Sequence, residues 1–155
     1  SLVRRMLKNF EVNLTPEILE KIQTQGRSIF EVVNIAALLE KEVRTLEDKK
    51  IVAGVLQKRL ENGMRLQADA TVVYVREGNH YKVSIEETRV ESPYNTYRVY
   101  GLPFGPIANP GLESLKAALE PEESPYWFYL SARDGTTIFT RNFEEHKAAK
   151  ARYLQ

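Results

Sequence analysis

Between Ile29 and Leu39 the sequence reads IFEVVNIAALL, and only Glu31 and Asn34 interrupt the apolar residues. A helix apolar on nearly every side cannot lie on a surface, so this segment belongs inside a domain, with other elements built around it. Ser28 and Glu31 have the spacing of a capping box and set its start. The run ends in Glu40, Lys41 and Glu42. A carboxyl carried to the edge of an apolar interior is costly to ionise, and desolvation is how a glutamate becomes a general acid near neutral pH. Glu42 lies two positions beyond Glu40, roughly 200° around a helix, so the two cannot share a face. Only one can enter a cleft with the apolar side. Glu40 directly follows Ala36, Ala37, Leu38 and Leu39, which makes it the candidate. The alternative is that both glutamates solvate a fraying helix end.

The segments on either side punctuate clearly. LTPEILEKIQTQG reads as a short helix capped by Thr15, with Pro16 at its first position and Gly26 at its end. EDKKIVAGVLQKRLENG is a longer helix with Ile51, Val52, Val55, Leu56 and Leu60 at helical spacing. Its basic residues Lys49, Lys50, Lys58 and Arg59 read as a solvated face, and Gly63 as its stop. TVVYV then reads as a strand, REGN as a turn and SIEET as at most one helical turn. Residues 92–111 hold four of the seven prolines and three of the eight glycines, which makes a long, stiff loop. Loops of this length in compact domains are often functional. LESLKAALE is a short amphipathic helix. YWFYLSARDGTTIFT is a hairpin about Asp134-Gly135, and the last fourteen residues form a polar, exposed helix. The fold expected is α+β: one domain with a buried helix, a small antiparallel hairpin and a Pro/Gly-rich loop. Residues 1–27 would be a helical entry segment and 28–155 the catalytic domain.

Composition narrows the chemistry. Twenty-two basic residues against 21 acidic leave a net charge of +1, so nothing points to nucleic acid. The absence of cysteine removes disulfides, thiolate metal sites and cysteine nucleophiles. His80 and His146 are far apart, without ligand-like spacing, and read as surface residues, so no metal is expected. No nucleophile elbow is present, and the prolines of GLPFGPIANPG remove the backbone donors that a phosphate cradle requires.

Two further clusters suit a sugar. In GMRLQADATVVY, if extended, Arg65, Gln67, Asp69 and Thr71 share one strand face, although an ordinary edge strand would look the same. In SPYNTYRVYGLP, Tyr94, Tyr97 and Tyr100 interleave with Asn95 and Thr96 on the stiff loop. Such rings and amides could stack on sugars and read N-acetyl groups, or could pack on their own domain.

Four linked stretches carry a resemblance: LLEKE (38–42), KRLENGMRLQADATV (58–72), SPYNTY (92–97), and GLPFGPIANPG (101–111) followed by SLKAAL (114–119). In order and spacing they resemble the MltG (YceG-like) endolytic murein transglycosylases from roughly Phe30 to the C-terminus. Ala70 and Phe104 stand where that family usually has proline. The resemblance implies an enzyme that cuts the β-1,4 bond between N-acetylmuramic acid and N-acetylglucosamine inside peptidoglycan strands, without water and without a cofactor. It implies Glu40, the first glutamate of EKE, as acid and then base, leaving 1,6-anhydro ends. Gln67, Asp69, Thr71, Tyr94, Asn95, Thr96 and Tyr97 would line the sugar cleft. It further implies work beside peptidoglycan synthases on the outer face of the bacterial cytoplasmic membrane, with an anchor and a LysM-like module not visible in this stretch. A non-catalytic glycan-binding module and a hydrolytic muramidase, with Asp69 or Glu42 holding a water, are the competing readings.

Overall fold

The computed structural model describes residues 1–76 and 82–154. Its helices are α1 (Leu2–Asn13), α2 (Pro16–Thr24), α3 (Ile29–Glu42), α4 (Leu46–Glu61), α5 (Asp69–Val75), α6 (Leu112–Leu119) and α7 (Phe143–Tyr153). The hairpin strands are β1 (Phe128–Ser131) and β2 (Thr137–Thr140), and Glu87–Arg89 form one 3-10 turn. The α+β architecture expected from the sequence is the one observed.

α3 is the axle of the fold. Val32 to Leu39 are buried without a break, and α2, α4, α5 and α6 pack around them. Its first turn stays outside, with Ile29 and Phe30 half exposed. Asn34, the one polar residue of the buried stretch, donates from Nδ2 to the Pro103 carbonyl at 2.8 Å and so ties the proline-rich loop to the core. The helix starts follow the sequence: Thr15, Ser28 and Thr45 each accept the backbone N–H three residues on. Gly26 and Gly63, both at positive φ, close the helices before them.

The hairpin is antiparallel, with Tyr129 opposite Phe139 and Leu130 opposite Ile138, and α7 packs across both strands. His146 of α7 is buried there rather than exposed, stacked on Phe128 with ring centroids 5.1 Å apart. Burial pushes its imidazole down to about 4, aided by the nearby charges of Lys150 and Arg59. A polar helix can bury one histidine where it lies on a sheet, and the polarity of its neighbours hides this from the sequence. His80 and the REGN turn beyond Arg76 lie outside the described residues.

Residues 71–75, expected to be a strand, belong to helix α5, and 64–68 before it are irregular. The β-branched run favours a strand by propensity, but tertiary contacts decide otherwise. Val72 is fully buried, α5 packs on α3, and the Ala70 amide in the first turn of α5 finds a distant partner in Glu42. The supposed solvated face of α4 also divides. Lys49 and Arg59 are buried, because they occupy the same stripe as Val52, Val55 and Leu56.

Gly54 on α4 lies directly under the loop that follows α6, where Glu122 donates its amide to the Lys50 carbonyl at 2.9 Å. A Cβ at Gly54 would come within 1.9 Å of the Glu122 carbonyl oxygen. Gly54→Ala is therefore expected to cost at least about 2 kcal/mol by forcing that loop off the helix. Chemical denaturation would show this as a lower midpoint.

Candidate active site

The last turn of α3 carries Glu40 and Glu42 to opposite sides. Glu40 turns toward α6, where Oε2 accepts from the Ser114 hydroxyl and, at 3.2 Å, from the Gly111 amide, with Lys49 Nζ 3.7 Å away. Burial would raise its pKa, but these partners together outweigh it and hold the carboxyl below its ordinary range. The expected raised acid is thus not at Glu40. Its carboxylate staples α3 to the start of α6 and to α4.

Glu42 turns the other way, into the wall of a cleft of about 1210 Å³. Its Oε1 accepts from the Ala70 amide at 3.0 Å, and the Tyr129 hydroxyl bonds to the same carboxyl. Burial pushes Glu42 up to about 7, helped by the negative charge of Asp69 and opposed by the two hydrogen bonds and by Arg59. Near neutral pH it is divided between acid and carboxylate, which allows it both to give and to take a proton.

Arg59 lies beneath this group with each of its three guanidinium nitrogens engaged. It donates to the Trp127 carbonyl at 2.9 and 2.6 Å and to the Leu66 carbonyl at 2.6 Å, and it lies over the Phe128 ring. It joins α4, β1 and the segment before α5 while leaving a positive charge below Glu42. Tyr129, on β1 beside it, is held in its phenol form by burial.

Of the seven expected sugar-binding residues, the structure brings Gln67, Asp69 and Tyr97 to the cleft. Tyr97 donates its hydroxyl to Asp69 Oδ1, and burial first, then Asp69, holds that phenol well above its ordinary value. Gln67 adopts φ +52°, a left-handed conformation rare outside glycine and typical of residues held for a purpose. The other four lie behind the wall. Thr96 Oγ1 accepts the Ala68 amide at 2.9 Å and meets Thr71 Oγ1 at 3.0 Å, and both threonines are fully buried. Asn95, also buried, donates to the Thr88 and Val90 carbonyls and accepts the Tyr97 amide at 3.0 Å. Tyr94 is wedged between Tyr74 and Phe104. The polar side-chain atoms of Thr71, Asn95 and Thr96 bind the chain itself, so these three shape the loop instead of reading a ligand. Arg65, grouped with them in sequence, packs its guanidinium on Tyr100.

The sequence reading passed over Arg59, Tyr129 and the inward turn of Glu42. The signal for Arg59 was present: residue 59 falls seven positions after Val52, on the apolar stripe of α4.

With this geometry in hand, the chain can be set beside known proteins. The family model described as the YceG-like family matches residues 1–152. The chain belongs to the YceG-like family. A Bacillus subtilis protein named endolytic murein transglycosylase is 37% identical over 127 residues, covering 82% of this chain and 35% of that protein. A Streptococcus pneumoniae protein of the same name is 30% identical, covering 99% of this chain and 29% of that protein. A crystal structure of a YceG-like protein from Listeria monocytogenes superimposes with a TM-score of 0.83 at 37% identity, over 90% of this chain and 45% of that one. The chain thus spans about a third of the length of these curated relatives and under half of that solved structure.

Two outcomes test this account of the site. The folded state holds the Glu42 proton more tightly than the unfolded chain, whose value lies near 4.5. The stability this brings is complete below about pH 4.5 and is lost as pH rises through about 7, on the order of 3 kcal/mol in total. Glu42→Gln should therefore raise the melting temperature at pH 8 and change it little at pH 4.5. Thr96→Val, which strands the Ala68 amide, should cost about 2 kcal/mol and be visible in the same melting curves.

Proposed function

We propose that this chain carries the catalytic centre of an endolytic peptidoglycan lytic transglycosylase, with Glu42 as its single acid and base. The observation that carries the reading is a carboxyl with a pKa of about 7 in the wall of a large, aromatic-lined cleft. The names of the relatives supply the substrate class, since two of them are endolytic murein transglycosylases. The work site would then be the outer face of the bacterial cytoplasmic membrane, where peptidoglycan synthases lay down the strands.

In this mechanism protonated Glu42 gives its proton to the oxygen between N-acetylmuramic acid and N-acetylglucosamine as the bond from that oxygen to the muramyl C1 breaks. The carboxylate that remains is stabilised by the Ala70 amide, the Tyr129 hydroxyl and the charge of Arg59. Positive charge on the muramyl ring is countered by the carboxylates of Glu42 and Asp69. Glu42 then removes the proton from the muramyl C6 hydroxyl as that oxygen closes onto C1. The product is a 1,6-anhydro end, Glu42 is protonated again, and no water is consumed. A hydrolase would instead place a second carboxylate about 5 to 9.5 Å away to act as nucleophile or to activate water. Asp69 is the residue to examine in that case.

Glu40 is the second reading, favoured by its place as the first glutamate of EKE. Its ionised, hydrogen-bonded state argues against it, because a carboxyl without its proton at neutral pH cannot protonate a leaving group.

Purified glycan strands digested with each variant and weighed by mass spectrometry decide among these. Glu42→Gln should lower kcat by at least about a hundredfold. Glu40→Gln should still cut, at a stability cost of about 1 kcal/mol for a partly exposed staple. Ends lighter than hydrolysis products by one water identify the transglycosylase, and reducing ends identify a hydrolase. Loss of turnover in Glu40→Gln but not in Glu42→Gln would reverse the assignment. The need for a protonated Glu42 should show as kcat/KM falling above about pH 7.

A further inference from the structure

Beside the main cleft lies a smaller pocket of about 300 Å³ at the end of α3, under the hairpin turn. Lys41, Glu42, Ser131 and Arg133 line both spaces, so the two share a wall at the proposed acid. Arg44 and Gly135 belong to the small pocket alone.

The pocket has an unbalanced charge. Lys41, Arg44 and Arg133 face it, and among the described residues none of the three is paired with a carboxylate. Glu40 and Glu42 also line the pocket, and their carboxyls, like that of Asp134 on the hairpin turn, already have hydrogen-bond partners. Glu40 is bound to Ser114, Gly111 and Lys49, and Asp134 accepts the Thr136 amide at 2.9 Å. Arg44 is seated against the turn: a Cβ at Gly135, where φ is +88°, would stand 2.8 Å from its Nη1. The absence of a side chain there leaves the room the guanidinium occupies. Two arginines and a lysine around a small cavity suit a carboxylate, which an arginine can grip with two parallel hydrogen bonds.

We propose that this pocket binds the carboxylates of the peptide carried by the muramyl residue at the scissile bond, with Arg44 and Arg133 as the main ligands and Lys41 at the junction. The proposal rests on the function proposed above, which places that muramyl ring against Glu42. Muramic acid bears its peptide through the lactyl ether on C3, on the same ring as the reacting C1. A peptide leaving that ring beside Glu42 meets the shared wall, and its free carboxylates are the anions the pocket lacks. The protein would then cut peptide-bearing strands in preference to bare ones.

The test compares kcat/KM on peptide-bearing strands with that on strands stripped of peptides by an amidase, for the wild type, Arg44→Ala, Arg133→Ala and the double variant. The bare strand is the internal reference in each case. The wild type should favour peptide-bearing strands about tenfold, and the double variant should bring the ratio near one. Arg44→Lys should restore part of the ratio by keeping the charge without the fork. A wild-type ratio of one, or a ratio unchanged in the double variant, overturns the proposal.

Binding supplies the second readout. Calorimetry on Glu42→Gln should show a muramyl disaccharide with its peptide binding more tightly than the peptide-free disaccharide, with the difference shrinking in high salt and lost on substitution of both arginines. Equal binding of the two overturns the proposal. Failure to cut either strand would count against the transglycosylase reading, and the binding comparison alone would then decide the pocket.

Discussion

The interaction on which most of this structure depends is the one between the Glu42 carboxyl and the Ala70 amide, 28 residues apart. The opening amides of a helix have no partner within it, and buried ones must find one elsewhere. By supplying it, Glu42 allows a β-branched segment to begin as α5, with Asp69 in its first turn, where a negative charge is favoured. The position of Asp69 in turn fixes Tyr97, whose hydroxyl it accepts. One contact therefore joins the end of the buried helix, the start of a short helix and the stiff loop, and all three meet at the cleft.

Burial of the same carboxyl, against the pull of this hydrogen bond, sets its proton affinity. A carboxyl with so few partners, close to a second negative charge, is held near neutrality by burial, while Arg59 and Tyr129 keep the ionised form within reach. Glu40, two residues back on the opposite helix face and turned to α6, has more partners and behaves in the opposite way. Two neighbouring glutamates are thus divided into an ionised staple and a carboxyl of raised pKa by what each helix face meets. The buried polar groups behind the cleft, Thr71, Asn95 and Thr96, serve the same end, since they hold Gln67 and Tyr97 in place by binding backbone. Such networks are useful to a site because every member is satisfied, and a loosely held loop could not keep a residue at positive φ.

Much of the fold was legible beforehand because its signals are local. The apolar register of α3, the caps at Thr15, Ser28 and Thr45, and the Asp134-Gly135 turn each act within a few residues. The failures share a cause. α5 read as a strand because β-branched side chains are at home there, and only the remote Glu42 and the packing on α3 make it a helix. Lys49, Arg59 and His146 read as exposed because charge usually is, and each is buried where a neighbouring element covers it.

The sequence by itself determined that a helix would be buried, that it would end at a pair of glutamates on opposite faces, and that a tyrosine-bearing loop would stand near the site. It also set the family, through motifs whose order survives in the chain. Which glutamate carries the raised pKa was decided only by tertiary structure. Acidity depends on desolvation and on charges brought from α4, α5 and β1, and none of these is a property of the residues beside Glu40 and Glu42.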